Sequence, residues 1–134
     1  YQPVLFEKKE GATPADFLPM IATAGRVLQR VVKTASLTDR AWHAYGISDP
    51  VGFAAMGVVE VTVHTYDLAK GFGLNFVPSK ELADFAIERL FRDTVEFPLV
   101  PESDSGSLLL WCAGRIELEN SPQRQGWKWN GCVR

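Results

Sequence analysis

Apolar residues recur along much of this chain at intervals of three and four positions, which is the spacing of one helical face. Between residues 14 and 35 they form a single stripe, and Arg26, Arg30 and Lys33 fall on its outer side. Thr13 followed by Pro14 is a typical helix start, so we expect a helix over residues 14–35. Pro19 should kink its first turns, because proline lacks the N–H and crowds the preceding carbonyl.

The longest stretch without a loop signal is 49–73, DPVGFAAMGVVEVTVHTYDLAKGFG, and its period is locally ambiguous. Residues 59–64 alternate between valine and polar side chains, as in a half-buried strand. Against this, Asp49-Pro50 is a helix start and Gly71 is a suitable helix stop. About twenty residues separate those signals, too many for an ordinary strand. The sequence therefore predicts a helix over 49–71.

The rest of the chain divides into shorter predicted elements. A charged, flexible entry covers 1–12, a connector with two aromatics and a histidine covers 36–48, and an irregular tail covers 115–134. A helix begins near Ser79 and runs to about residue 93, and after a loop at 97–106 a short buried helix covers 107–113 and stops at Gly114. No convincing pair of strands is seen. We expect one all-α domain over 1–134, an antiparallel helix bundle with a loop-rich C-terminal tail that Trp127 and Trp129 hold to the core.

Composition narrows the function classes. The 134 residues are 46% hydrophobic and carry a formal charge of −2, so the chain has a globular core and no basic footprint for nucleic acid. Its apolar runs are too short to span a membrane, and no secretory signal opens it. Cys112 and Cys132 are not in a CxxC pair, which favours a reducing, cytoplasmic location. The first residue is Tyr1, which indicates a processed chain or a piece of a longer one.

Candidate chemistry lies in the central helix. Glu60 and His64 would be one turn apart on one face, with Asp67 three residues further along, and we expect the first two side chains to point into the bundle. An unpaired buried carboxylate is costly, and a divalent metal ion, with zinc first, would compensate it. A Glu–His ion pair or two surface residues are the alternatives. Asp67 either ligates, orients His64 or faces water, and the orienting role is the one we favour.

The remaining reactive side chains have simpler interpretations. His43 follows a tryptophan in the connector and is predicted to be a packed histidine. Cys112 lies in an apolar run and is predicted to be an inert core thiol, whereas Cys132 should be exposed if the tail is loose. No serine or cysteine lies in a recognisable nucleophile motif.

These motifs resemble one known family. Residues 60–74, EVTVHTYDLAKGFGL, resemble the E-x-x-x-H-x-x-D-x-A-x-G-x-G-L stretch of the DinB-like superfamily, in particular the mycothiol-dependent maleylpyruvate isomerase N-terminal domain proteins of actinobacteria. Residues 41–46 (AWHAYG), 49–57 (DPVGFAAMG), 109–115 (LLWCAGR) and 127–129 (WKW) are similar to the same branch. The resemblance covers almost all of the chain beyond the first dozen residues.

The resemblance implies an antiparallel four-helix bundle that holds a divalent metal with two histidines and an acidic residue. Glu60 and His64 match the acid and the second histidine, and Asp67 matches a further acidic position. The first histidine of the family belongs to an upstream helix that this sequence does not contain. By this comparison the chain is the later part of such a domain, an incomplete four-helix bundle whose third ligand is absent.

Two functions follow as expectations. The first is a metal-binding bundle related to enzymes that use a low-molecular-weight thiol, such as mycothiol, in transfer or isomerisation. The second is a non-catalytic binding or assembly module that has lost the full metal site. With two helices absent, the helices at 14–35 and 49–71 would each keep an uncovered apolar stripe. We therefore expect a homodimer, or pairing with a separate segment that carries the missing helices.

Overall fold

The computed structural model describes residues 7, 9–92 and 97–133, and this part of the chain is mostly helical with one short two-stranded sheet. A 3₁₀ turn at Pro14–Asp16 leads into the first helix, and another at Glu102–Asp104 leads into the last. The helices and strands are α1 (Phe17–Thr34), β1 (Ala41–His43), β2 (Gly46–Ser48), α2 (Pro50–Gly71), α3 (Lys80–Ala86) and α4 (Ser105–Cys112).

The central helix has the bounds that its local chemistry predicts. The side chain of Asp49 caps α2, because Oδ1 accepts a hydrogen bond of 2.7 Å from the backbone N–H of Gly52. Pro50 is the first helical residue, and the helix ends at Gly71. The strand alternative for residues 59–64 is thereby excluded.

The connector contains a β-hairpin that the sequence analysis missed. β1 and β2 are antiparallel, with Ala41 opposite Ser48 and His43 opposite Gly46. Strands of three residues are too short for alternation to be visible in a sequence. The tail adds to this hairpin, since the N–H of Gly131 donates to the carbonyl of Tyr45 and the N–H of Val133 donates to that of Ile47. The prediction of no strand pair was wrong.

The predicted start of α3 and the predicted stop after α4 are both observed. Ser79 caps α3 through its hydroxyl, which accepts from the N–H of Leu82 at 3.5 Å. The helix then widens into a π-helical turn over Ile87–Phe91, which no sequence signal predicted, and its expected end near residue 93 lies outside the described residues. α4 starts two residues earlier than predicted, and Gly114 follows it with a φ of +66°.

The core lies between one face of α2 and the elements that follow it. Its contributors are Ala55, Met56, Val59 and Val63 from α2, Ala83, Ala86, Leu90 and Phe91 from α3 and the π turn, and Leu109, Trp111 and Cys112 from α4. Trp129 is buried with them and Trp127 packs against them, so the predicted attachment of the tail is confirmed. Cys112 is fully buried, which confirms the prediction of a core thiol, and burial raises its pKa to about 12. Cys132 is exposed although the tail is attached, whereas the sequence analysis expected its exposure only for a loose tail.

α1 is attached differently, since none of its eighteen residues is buried. It runs antiparallel to α2: its last turns share a small apolar cavity with the first residues of α2, and the side chain of Leu28 lies over Gly57. Pro19 lies in the first turn, where its missing N–H would have no partner within the helix, and the irregular turn comes before it. Within the described residues, no helix is long and apolar enough to cross a membrane.

A partly buried ion pair joins the start of α2 to the π turn. Arg89 Nη2 donates to Asp49 Oδ1 at 3.0 Å, and the two side chains are 11% and 19% exposed. Gly52 leaves the room for this contact, because a β-carbon there would collide with Ser48 Oγ and the Arg89 guanidinium. Burial alone would raise the pKa of Asp49, but the Gly52 N–H and Arg89 outweigh it and the pKa lies below its usual value.

Replacing Gly114 with alanine should destabilise the fold by about 2–4 kcal/mol, because the left-handed backbone is costly for other residues and the new methyl would overpack. That methyl would collide with the ring of Trp127 and lie 2.8 Å from the carbonyl oxygen of Arg124. Gly126→Ala is the matched control, because φ is +59° there and no atom of the described residues lies within 4 Å of the added methyl. Urea unfolding at neutral pH measures both. Equal losses would show that the close packing around Gly114 contributes nothing.

Asp49→Ala should cost about 2–4 kcal/mol at neutral pH, since it removes a helix cap and leaves Arg89 without its carboxylate. The folded-state pKa of Asp49 is lowered, so its contribution is complete above the unfolded value of about 3.9 and is lost as the pH falls through the folded value. The gap between wild type and variant should therefore close at low pH in urea unfolding. Asp16→Ala removes an exposed capping carboxylate that has no arginine partner among the described residues, and it should have the smaller effect.

Candidate functional site

Glu60, His64 and Asp67 form a continuous polar row along the second half of α2. His64 Nε2 lies 3.2 Å from Glu60 Oε2, one helical turn back, and His64 Nδ1 lies 3.2 Å from Asp67 Oδ2, one turn forward. The prediction that Glu60 and His64 share one helical face is confirmed.

The prediction that these two side chains point into the bundle was wrong. The side chain of His64 is 62% exposed and that of Glu60 is 55% exposed. The inward face of α2 passes through Val59 and Val63, each one position earlier, and a single helical position rotates a side chain by about 100°. The Glu60 carboxylate is therefore solvated and does not need a metal ion to compensate for burial of its charge.

The two carboxylates lie at opposite edges of the imidazole. Because Glu60 is at Nε2 and Asp67 is at Nδ1, one ion cannot contact both carboxylates through the same ring nitrogen. Asp67 thus occupies the position of a group that orients the ring, the role that the sequence favoured for it.

Arg115 completes the row and was not predicted. Its Nε and Nη2 donate to the two oxygens of Asp67, at 3.3 and 3.0 Å, and its Nη1 donates to the carbonyl of Ala113 at 2.8 Å. The guanidinium also stacks on Trp127, 5.4 Å from the ring centroid. The hydrogen bonds from Arg115 lower the pKa of Asp67, with burial opposing them, so this group is a carboxylate at neutral pH.

The Glu60–His64 pair has the dimensions of one edge of a metal site. Two ligands about 2.1 Å from a tetrahedral zinc ion are about 3.4 Å apart, close to the observed 3.2 Å. One imidazole nitrogen and one carboxylate oxygen suit zinc or a similar divalent ion. The pair fits half of a coordination shell. In the described part of the chain, no three histidine, cysteine or acidic residues are grouped to hold a metal ion.

His43, the other histidine of the chain, lies in the hairpin and contacts other residues than this row. His43 Nδ1 accepts a hydrogen bond of 3.1 Å from the backbone N–H of Tyr45. Its ring packs against Tyr45, Phe53 and Trp129, with centroids 5.6–6.4 Å away. The prediction of a packed histidine is confirmed.

Open apolar surface lies along α1 and at the start of α2, and none of the residues of the polar row lines it. A cavity of about 240 Å³ separates the last turns of α1 from the hairpin and the start of α2, and its lining includes Leu28, Val32 and Phe53. A second groove, of about 530 Å³, runs along the apolar face of α1 from Pro19 to Val31. Large apolar side chains such as Leu18, Ile21 and Val61 are about 60% exposed.

Comparison with models of known protein families, with curated proteins and with solved structures finds no match to this chain. The resemblance to the DinB-like superfamily and the metal-binding role of Glu60 and His64 therefore remain predictions.

Proposed function

We propose that this chain is a metal-binding helical protein of the DinB-like type, whose divalent ion, zinc first, is held by Glu60 and His64. The observation that carries the proposal is the 3.2 Å contact between His64 Nε2 and Glu60 Oε2, with Asp67 at the other ring nitrogen. A histidine that gives one nitrogen to a metal and the other to a carboxylate is a common arrangement in zinc sites. The proposed full architecture is an antiparallel four-helix bundle, of which α1 and α2 are two members.

The exposure of the pair agrees with an incomplete coordination shell. A catalytic zinc ion has three protein ligands and one open position. Glu60 and His64 supply two, and we propose that a partner segment supplies the third. The metal would supply Lewis acidity, which lowers the pKa of a bound thiol and holds it as a thiolate. The proposed activity is transfer or isomerisation dependent on a low-molecular-weight thiol such as mycothiol.

In this proposal, Glu60 and His64 bind the metal ion and Asp67 orients the imidazole ring of His64. Glu60 contributes charge to the ion, His64 contributes Nε2, and Asp67 holds the ring through Nδ1. Neither cysteine replaces the external thiol, since Cys112 is buried with a raised pKa and Cys132 lies at the far end of the tail beside Gly46.

Zinc titrated into the purified chain should bind weakly, because two protein ligands leave the shell open. His64→Ala should abolish that binding and Glu60→Gln should weaken it, whereas His43→Ala should leave it unchanged because the His43 ring is packed among aromatic residues. Isothermal titration calorimetry measures all four proteins. Tight, stoichiometric binding that His43→Ala abolishes would show that the ligand set is wrong.

A second candidate function is a non-catalytic assembly module, and the exposure of α1 favours it. Burial of apolar surface stabilises a protein by roughly 25 cal/mol per Å². Because α1 has no buried residue, covering its apolar face would add to the stability of the protein. A twofold dimer would bring α1 and α2 of both copies together as four helices.

Sedimentation at micromolar concentration should show this dimer. Ile21→Asp should shift it towards monomer, because a charge would then lie in the buried interface. Leu99→Asp is the matched control, since Leu99 is fully exposed in the loop before α4. A stable, folded wild-type monomer would contradict self-pairing. If that monomer bound a separate two-helix segment, the segment would be the partner instead.

A further inference from the structure

A cavity of about 240 Å³ lies where the last turns of α1, the hairpin and the start of α2 meet, and the proposed metal site does not include it. The α1 wall of this cavity is one helical face, because its side chains are spaced three and four positions apart: Leu28, Val31, Val32 and Ala35. The opposite wall comes from α2 and from one cross-strand pair of the hairpin: Pro50, Phe53, and Ala41 with Ser48. The atoms that face the cavity are almost all apolar.

The connector between α1 and β1 holds these walls apart. Its turn is closed by two hydrogen bonds of 2.9 Å: the N–H of Asp39 donates to the carbonyl of Ser36, and the N–H of Ser36 donates to Asp39 Oδ2. Arg40 Nη1 donates to the carbonyls of Leu37 and Asp39, both at 2.8 Å. Because the connector is tied in this way, the end of α1 is kept from closing against the hairpin.

The wall opposite α1 is firmly packed. Phe53 packs against the hydrophobic core, and its ring is edge-on to that of His43, with centroids 6.4 Å apart. Ser48 is fully buried, and the N–H groups of Gly131 and Val133 bond the hairpin to the tail. α1 itself has no buried residue. A molecule in the cavity would therefore join a shallowly attached helix to a well-packed wall.

The charged side chains at the cavity already have partners within the protein. Asp49 pairs with Arg89 at 3.0 Å. Asp39 accepts from the backbone of the connector, and Arg40 donates to two carbonyls there. These two carboxylates and two guanidinium groups carry no net charge together. An ion that entered would lose hydration among apolar atoms without a net charge to attract it. The lining therefore favours an uncharged ligand.

We propose that this cavity is a binding site for a small uncharged apolar molecule, of about the size of one aromatic ring with a short substituent. An apolar cavity of roughly 150 Å³ takes up benzene, and the 240 Å³ present here leaves room for the substituent. The bound molecule fills a gap between α1, α2 and the hairpin. The site contains none of the residues of the proposed metal site and needs no metal ion.

Toluene, benzoate and benzylammonium test the site and its preference together, because they share one ring and differ in charge. In ¹H–¹⁵N spectra of the whole chain, toluene should cause saturable shifts at the amides of Val32, Ala41 and Phe53. The two ions should bind at least about tenfold more weakly, since each would place a charge among apolar atoms. Toluene at ten times its Kd should slow amide exchange in the last turn of α1 about elevenfold, where exchange requires α1 to leave the cavity wall.

Ala35→Phe fills the cavity from the end of α1 and should abolish the toluene shifts at Ala41 and Phe53. Ala22→Phe is the matched control, because Ala22 is exposed on α1 and lines neither this cavity nor the groove from Pro19 to Val31. It should leave toluene binding unchanged. If Ala35→Phe does not fold, the comparison of the three ligands on the wild-type protein decides, since it needs no variant.

Three results would overturn the proposal. The site is wrong if toluene causes no saturable shifts, or only shifts along the groove from Pro19 to Val31. The ligand class is wrong if benzoate or benzylammonium binds as tightly as toluene. Equal losses of binding in Ala35→Phe and Ala22→Phe would indicate general adsorption of toluene to α1. Zinc is absent from these measurements, so their outcome is independent of the proposed metal-binding function.

Discussion

One-sided burial of α2 is the constraint on which the rest of this structure depends. The face through Ala55, Val59 and Val63 is closed by α3, α4 and the tail, so those elements form one core around it. The adjoining flank is left to α1, which crosses it with Leu28 over Gly57 and buries none of its own residues. A helix divided in this way has one buried side and one accessible side. Polar groups on the accessible side can therefore be held in register without being desolvated.

The ends of α2 are fixed by two arginines that act in similar ways. Arg89 comes from the π turn and bonds the capping carboxylate of Asp49, and Arg115 comes from the turn after α4 and bonds Asp67. Each bond crosses between elements that are distant in sequence. The first is largely buried and contributes to stability, with Arg89 Nη1 left without a hydrogen-bond partner in the described part of the chain. The second is more exposed, and geometry is its main contribution.

Local chemistry made part of this architecture readable from the sequence. Asp49-Pro50, Ser79 and Gly114 mark helix ends because a cap or a left-handed turn needs those residue types at those places. The hairpin was missed because its strands are shorter than any visible alternation. The outward direction of Glu60 and His64 was missed because the buried face of α2 passes through the preceding positions, Val59 and Val63. An error of one position in placing that face rotates a side chain by about 100°, from the core to the solvent. Arg115 had no signal at all, since its partner is 48 residues away and only the fold brings them together.

The contact between the tail and the hairpin has a consequence for the order of folding. A two-stranded hairpin with three-residue strands is at best marginally stable by itself. Here its outer edge is completed by the N–H groups of Gly131 and Val133, roughly 85 residues later in the chain, and Trp129 packs on the rings of His43 and Tyr45. Closing so long a loop is slow and entropically costly. The hairpin should therefore be among the last parts of the molecule to become protected from hydrogen exchange, and the first to lose protection when the tail detaches.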